Sequence, residues 1–240
     1  MKHGEYVFKV RSYECGADGL ATMPCICNYL QEAASLNAEE LGFSKSNFDA
    51  AGGNVSWVLT RLALKMNRYP KWEDDVVVET FPRGGRRIVA WRDFIIKSAD
   101  GETLGLATSE WMIIDLATRK VAPIPFEVLA LAGDCPASVL GLEPFTARLK
   151  YPGGCDGEPL RFRAQHSHID LNGHVNNVHY IEWMLEPTGG RRVSELEVVF
   201  RSETFADDEV LVATVRDADG STFHRVFAPD GRDHVVARTR

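Results

Sequence analysis

Asp170, Asn172 and His174 alternate along a short loop that ends in a glycine–histidine step, and a further carboxylate, Glu203, follows in the same half of the chain. A carboxylate, an amide and an imidazole in this spacing can take a proton near neutral pH and hold developing negative charge. Directly after the loop Val175, Val178, Ile181, Trp183 and Leu185 recur at roughly helical spacing, so a polar loop feeds a buried helix. Asn172, Asn176 and Asn177 can bond unpaired N–H groups at that start, where oriented N–H groups also favour an oxyanion. Alone, the loop could equally be a helix cap whose histidine satisfies backbone groups, with Glu203 a surface acid at a strand end.

His166, His168 and Asp170 invite a metal reading, since alternate residues of a strand share a face. The spacing departs from familiar metallohydrolase patterns and offers no clear fourth ligand, so neither a metal nor another cofactor is expected.

The elements that must position the loop repeat. A strand over 5–13 and a glycine-rich turn at Cys15–Gly19 lead to a helix from Thr22 to about Leu41, with Pro24 in its first turn and Gly42 as its stop. Strand-like runs follow near 54–67, 74–82, 86–98 and 103–116, broken at 69–72, at Pro82-Arg83-Gly84-Gly85 and at Asp100-Gly101. From Pro123 to Pro159 prolines punctuate a surface connector with a short helix at 126–131. Then comes a strand over 159–167, the Asp170 loop, a helix over about 175–186, Gly189-Gly190, and strands near 194–203, 209–217, 221–228 and 233–239. Arg68–Val76 can be laid beside Ser202–Val210, so the chain reads as two copies of one α+β unit, 1–130 and 159–240, joined by a linker over 131–158.

The copies differ where chemistry would sit. The first loop, Tyr13–Ala21, keeps an acid at Asp18 but has no histidine or asparagine, and Tyr69 stands beside Glu203. The second unit therefore supplies the reactive groups, and the first closes the core and shapes a pocket. That pocket is expected between Met23, Ile26, Tyr29, Leu30 and Ala33 on the first helix and a strand carrying Val55, Trp57 and Leu59.

Asp170-Leu171-Asn172-Gly173-His174-Val175-Asn176-Asn177-Val178-His179-Tyr180-Ile181 resembles the Asp-x-Asn-x-His-Val-Asn-Asn-Val-x-Tyr-Ile signature of the acyl-ACP thioesterases, which release fatty acids from acyl carrier protein. Arg11–Glu14, Asn28–Glu32, Trp57–Arg61, Arg68-Tyr69-Pro70 with Trp72, Gly101–Leu104 and Ile124-Pro125 follow the family's landmarks in order, so the resemblance spans nearly the whole chain. It implies a tandem (double) hotdog fold, two long helices packed on a continuous antiparallel β-sheet, and the site Asp170, Asn172, His174 and Glu203. It also implies a bacterial-type member, since the plastid-targeting extension of the plant enzymes is missing. Where plant members carry a cysteine this chain has Thr204, which rules out a thiol nucleophile there and points to activated water or attack by the Asp170 carboxylate.

Composition narrows the partners. The formal net charge of −7 argues against nucleic acid, and binding an acidic acyl carrier protein then needs a local basic patch, for which Arg83, Arg86, Arg87 and Arg92 are candidates. No apolar run approaches the ~20 residues of a membrane helix, and Met-Lys-His-Gly-Glu is not a signal segment, so a cytoplasmic protein is expected. Five scattered cysteines fit reduced thiols. No feature encodes assembly beyond a monomer or homodimer. The rival readings are an acyl-CoA thioesterase or a dehydratase of the same fold, and a non-catalytic acyl-binding module, which would have no use for the four polar residues together.

Overall fold

The structure is a computed structural model describing residues 3–131 and 148–240; most of the linker, with Cys135, Pro136 and Pro144, lies outside them. The chain divides into two compact units, Met1–Thr146 and Ala147–Arg240.

In the first unit, strand β1 (Gly4–Lys9) runs through a single 3₁₀ turn, Ser12–Glu14, to helix α1 (Met23–Glu40). Thr22 caps α1 by accepting the Cys25 amide, and Pro24 falls in the first turn, where no hydrogen bond is lost. A second helix, α2 (Lys45–Ala50), is held at its start by Ser44 and Asn47 bonding each other's backbone. Its six residues are too few for a helical period to register, and the sequence pattern does not reveal it. Strands β2 (Val55–Met66), β3 (Asp75–Arg86), β4 (Val89–Ser98) and β5 (Thr103–Asp115) complete an antiparallel sheet in the order β1-β3-β4-β5-β2. A two-residue strand, β6 (Val121–Ala122), pairs with the end of β5, and α3 (Phe126–Ala130) follows. Helix α1 packs on β1 and β3, where Ile26, Leu30, Ala33, Val76 and Val78 are at most 2% exposed.

The expected break at Pro82–Gly85 is not a turn. Strand β3 continues through it, with Pro82 still in register with Arg92 and a slip before Gly84 that leaves Arg83 as the bulge, and the chain reverses at Arg87-Ile88. Gly85 is required there, since a Cβ would stand 2.1 Å from the Val89 carbonyl oxygen.

In the second unit β7 (Leu160–Arg163) leads to a 3₁₀ turn, His166–His168, and helix α4 (Asn177–Leu185). Strands β8 (Glu195–Phe200), β9 (Glu209–Arg216), β10 (Thr222–Phe227) and β11 (Asp233–Thr239) make the order β8-β11-β10-β9-β7. Helix α4 is half the length of α1 and packs on β9 and β10, with Val178, Ile181, Met184, Val210, Val212 and Val226 nearly or wholly buried.

The internal repeat extends to single hydrogen bonds. Gly16 N donates to Leu20 O and Ala21 N to Pro70 O in the first unit; Asp170 N donates to His174 O and Val175 N to Thr204 O in the second. Glu73 and Asp207, opposite one another in the sequence pairing, both hold φ at +69°.

Candidate active site

The loop before α4 is shaped by its own side chains. Asp170 Oδ1 accepts the Asn172 amide at 2.8 Å, Oδ2 lies 3.4 Å from Asn172 Nδ2, and Gly173 takes φ +83° to close the turn onto the Asp170 carbonyl. Asn176 then caps α4 through Val178 N at 2.9 Å. His174 leaves this loop with its Nε2 3.1 Å from Glu203 Oε1, and the side chains are 19% and 32% exposed, open enough for water to enter. The Val175 N to Thr204 O bond anchors the loop to the segment after β8, which sets that distance. The structure thus makes two pairs of the four candidates, Asp170 with Asn172 and His174 with Glu203. Asn172 is itself exposed.

Equivalence between the units sharpens the asymmetry. The hydrogen bonds place Gly16, Asp18, Leu20 and Tyr69 at the positions of Asp170, Asn172, His174 and Glu203. In the first unit the dyad position therefore carries an aliphatic and a phenol, and Tyr69 donates to Met23 Sδ at 3.6 Å. The N–H groups of Asn176, Val178 and His179 are already taken, by His168 O, the Asn176 side chain and Asn176 O, which leaves fewer helix-start donors for an oxyanion than the sequence suggested.

Two neighbours were not singled out from sequence. Phe205, 51% exposed, presents its ring edge-on to His174 at 6.0 Å. His234 is 1% exposed and its Nδ1 lies 2.9 Å from Ser202 Oγ, one residue before Glu203. Burial holds His234 below the ordinary imidazole range, so it packs there as a neutral ring. Phe205 could have been found as an apolar residue beside Glu203; nothing local marks His234, which arrives from β11.

The strand premise of the metal reading fails. His166 and His168 sit in the 3₁₀ turn, where His168 Nδ1 accepts the Gln165 amide at 3.0 Å, the place Glu14 fills for Arg11 in the first unit. His168 is a turn cap whose ring lies tilted against His179 at 4.6 Å and edge-on to Trp183 at 5.4 Å.

Of the four arginines expected to make a basic patch, two are engaged within the unit. Arg83 turns inward to Asp93 at 3.2 Å, and Arg92 donates to Asn37 and Thr80 within the unit; Arg86 and Arg87 alone stay exposed. Arg83 and Arg86 both lie over the Trp91 ring, at 6.0 and 5.8 Å, so the group is divided by the inward pairing of Arg83 and Arg92 and not by distance.

Of the pocket residues, Met23, Ile26, Tyr29, Leu30, Ala33 and Leu59 are buried packing. Helix α1 packs chiefly on β1 and β3, at the other end of the sheet from β2, so its Ile26 stripe is not turned to that strand; Tyr29 stacks on Phe8 at 4.7 Å and donates to Glu14 at 2.7 Å. A cavity of about 90 Å³ lies instead under another stripe of α1, lined by Ala34, Ala38 and Leu41 with Phe43, Trp57, Trp91 and Trp111. Trp57 belongs to it, fixed by its Nε1 bond to Phe43 O at 2.7 Å, and Val55 packs in the adjoining cluster of Ile113, Ile124 and Val128.

Residues 3–132 match the family model for the acyl-ACP thioesterase N-terminal domain, and residues 156–240 that for the C-terminal domain. The chain belongs to the acyl-ACP thioesterase family. Among curated relatives, the chloroplastic oleoyl-acyl carrier protein thioesterase of Coriandrum sativum is 33% identical over 94% of this chain and 68% of its own length. The oleoyl-acyl carrier protein thioesterase 2 of Arabidopsis thaliana is 32% identical over 93% and 66%. The chain thus spans about two thirds of these relatives. In fold, this thioesterase-family chain superposes on an acyl-ACP thioesterase from Bacteroides thetaiotaomicron with a TM-score of 0.86 at 24% identity, covering 99% of this chain and 97% of that one. The 12:0-ACP thioesterase of Umbellularia californica gives 0.84 at 24%, covering 100% and 97%. The architecture is the tandem hotdog. Among the described residues no helix is long and apolar enough to cross a membrane.

Proposed function

We infer that this chain hydrolyses fatty acyl thioesters of acyl carrier protein, with the chemistry in the second unit and the acyl tail measured in the first. The observation that carries this reading is the 3.1 Å His174–Glu203 pair, present in one repeat and replaced by Leu20 and Tyr69 in the other. With Nε2–H donated to the Glu203 carboxylate, His174 keeps Nδ1 as the acceptor for a proton from water. The hydroxide equivalent adds to the thioester carbonyl carbon, the oxyanion is met by the Asn172 amide, and collapse breaks the C–S bond while the proton returns to the leaving thiolate. Asp170 holds the loop; both of its oxygens are engaged by Asn172, which suits it to positioning rather than attack. Family membership supports the substrate class, and the curated relatives are named for oleoyl and palmitoyl carrier thioesters. The test is hydrolysis of acyl carrier protein and acyl-CoA over several chain lengths. Turnover of the carrier thioesters is expected; turnover of CoA esters alone would transfer the assignment to an acyl-CoA thioesterase.

A further inference from the structure

A cleft of about 460 Å³ in the second unit is lined by Arg148, Lys150, Tyr151, Arg201, Arg225 and Asp233. Four cations meet one carboxylate there, in a chain whose formal net charge is −7. That carboxylate orders two guanidinium groups at once: Arg201 Nη1 donates to Asp233 Oδ2, and Arg225 Nε donates to Oδ1 at 2.6 Å. Arg225 is fixed further by the Gly231 carbonyl at 2.7 Å and by the Phe227 ring, 4.3 Å away. Arg201 also holds Leu149 O at 3.3 Å, which ties the segment carrying Arg148 and Lys150 to the end of β8. The next acid along, Asp156, is engaged by the Arg216 amide at 2.8 Å. Among the described residues neither Arg148 nor Lys150 has a hydrogen-bond or ion-pair partner, so both keep their charge for an incoming group.

We propose that this cleft is the docking surface for the acidic face of the acyl carrier protein. The proposal rests on the carrier-thioester reading above and takes over the role sequence had given to Arg83, Arg86, Arg87 and Arg92. Guanidinium forks held in place by a shared carboxylate match surface carboxylates in pairs, and unpaired rim cations accelerate encounter with an acidic protein. Arg201 stands two residues before Glu203, so a carrier seated here delivers its thioester to the same end of β8 that bears the dyad.

The test uses the full chain and the double variant Arg148→Glu/Lys150→Glu, with one acyl group carried on acyl carrier protein, on CoA and on N-acetylcysteamine. With the carrier, kcat/KM is expected to fall about tenfold or more, through KM, and its decline with ionic strength to flatten. The CoA and N-acetylcysteamine thioesters should be turned over as by the wild type. Calorimetry with holo-carrier should show binding to the wild type and its loss in the variant. An equal loss on the N-acetylcysteamine thioester would place these residues in the chemistry or the fold, and an equal loss on CoA would mean the cleft reads the phosphates of the arm; either overturns the proposal, as does an unchanged variant. Carrier hydrolysis by the wild type tests the parent reading separately: a chain that hydrolyses carrier thioesters but binds carrier equally with and without these charges refutes the docking surface alone.

Discussion

His174 and Glu203 are a functional pair only if both act on the reacting centre, and that has a kinetic consequence. Replacing either by alanine should lower kcat by roughly 10² to 10⁴ with little change in KM for the carrier, and the double variant should lose scarcely more than the worse single one. Steady-state kinetics of the three variants checks this, and near-full turnover in either single variant removes that residue from the mechanism. Thr204→Ala should stay near wild-type turnover, because the bond that anchors the loop comes from the Thr204 backbone carbonyl, which the substitution keeps. At this scale the loop itself was legible, since Asp170, Gly173 and Asn176 act through local turn and cap chemistry that sequence spacing encodes. His168 was not, because a histidine accepting a backbone amide has the same letters around it as a ligand.

At the scale of elements the long periods were readable and the short ones were not. Helix α1 and the strands carry enough alternation to be seen, whereas α2 and the bulge in β3 follow from contacts that arrive from elsewhere in the chain. The facing of α1 could not be read either, because helical periodicity gives a buried stripe but not the strand it meets. Strand β10 makes a prediction of its own. His224 is fully buried, its Nε2 2.8 Å from Thr239 Oγ1, and burial pushes it from 6.5 down to about 4. Between those values the unfolded chain binds a proton that the folded one refuses, so stability is full above about pH 6.5 and falls as the pH drops toward 4. The loss from this group between pH 7 and 5 is about 2 kcal/mol, and His168 and His234, also lowered by burial, add in the same direction. Urea unfolding of the wild type and of His224→Gln at the two pH values measures it; an identical pH dependence in the variant would exclude His224 as the source.

Across the whole molecule the two repeats have kept one backbone scheme and differ in the side chains set on it. Sequence comparison alone could expose that difference, because it needs only the absence of histidine and asparagine from Tyr13–Ala21, whereas finding the cavity under the Ala34 stripe of α1 depended on packing. If the cavity by Trp57, Trp91 and Trp111 measures the tail, filling it should change which chain is released without touching the reaction. Ala34→Leu withholds space from the last carbons of the tail, and each methylene left unburied costs about 0.8 kcal/mol. Excluding one two-carbon increment should then move the preference between adjacent even-numbered acids by roughly tenfold toward the shorter one, with kcat on short chains preserved. Ala33→Leu makes the control, since Ala33 is wholly buried but does not line the cavity, and enlarging it should lower stability by about 1–3 kcal/mol with the product profile unchanged. Product profiles from folded, active protein separate the two, and an Ala34 variant that releases the wild-type mixture would show that the tail is measured somewhere other than this cavity.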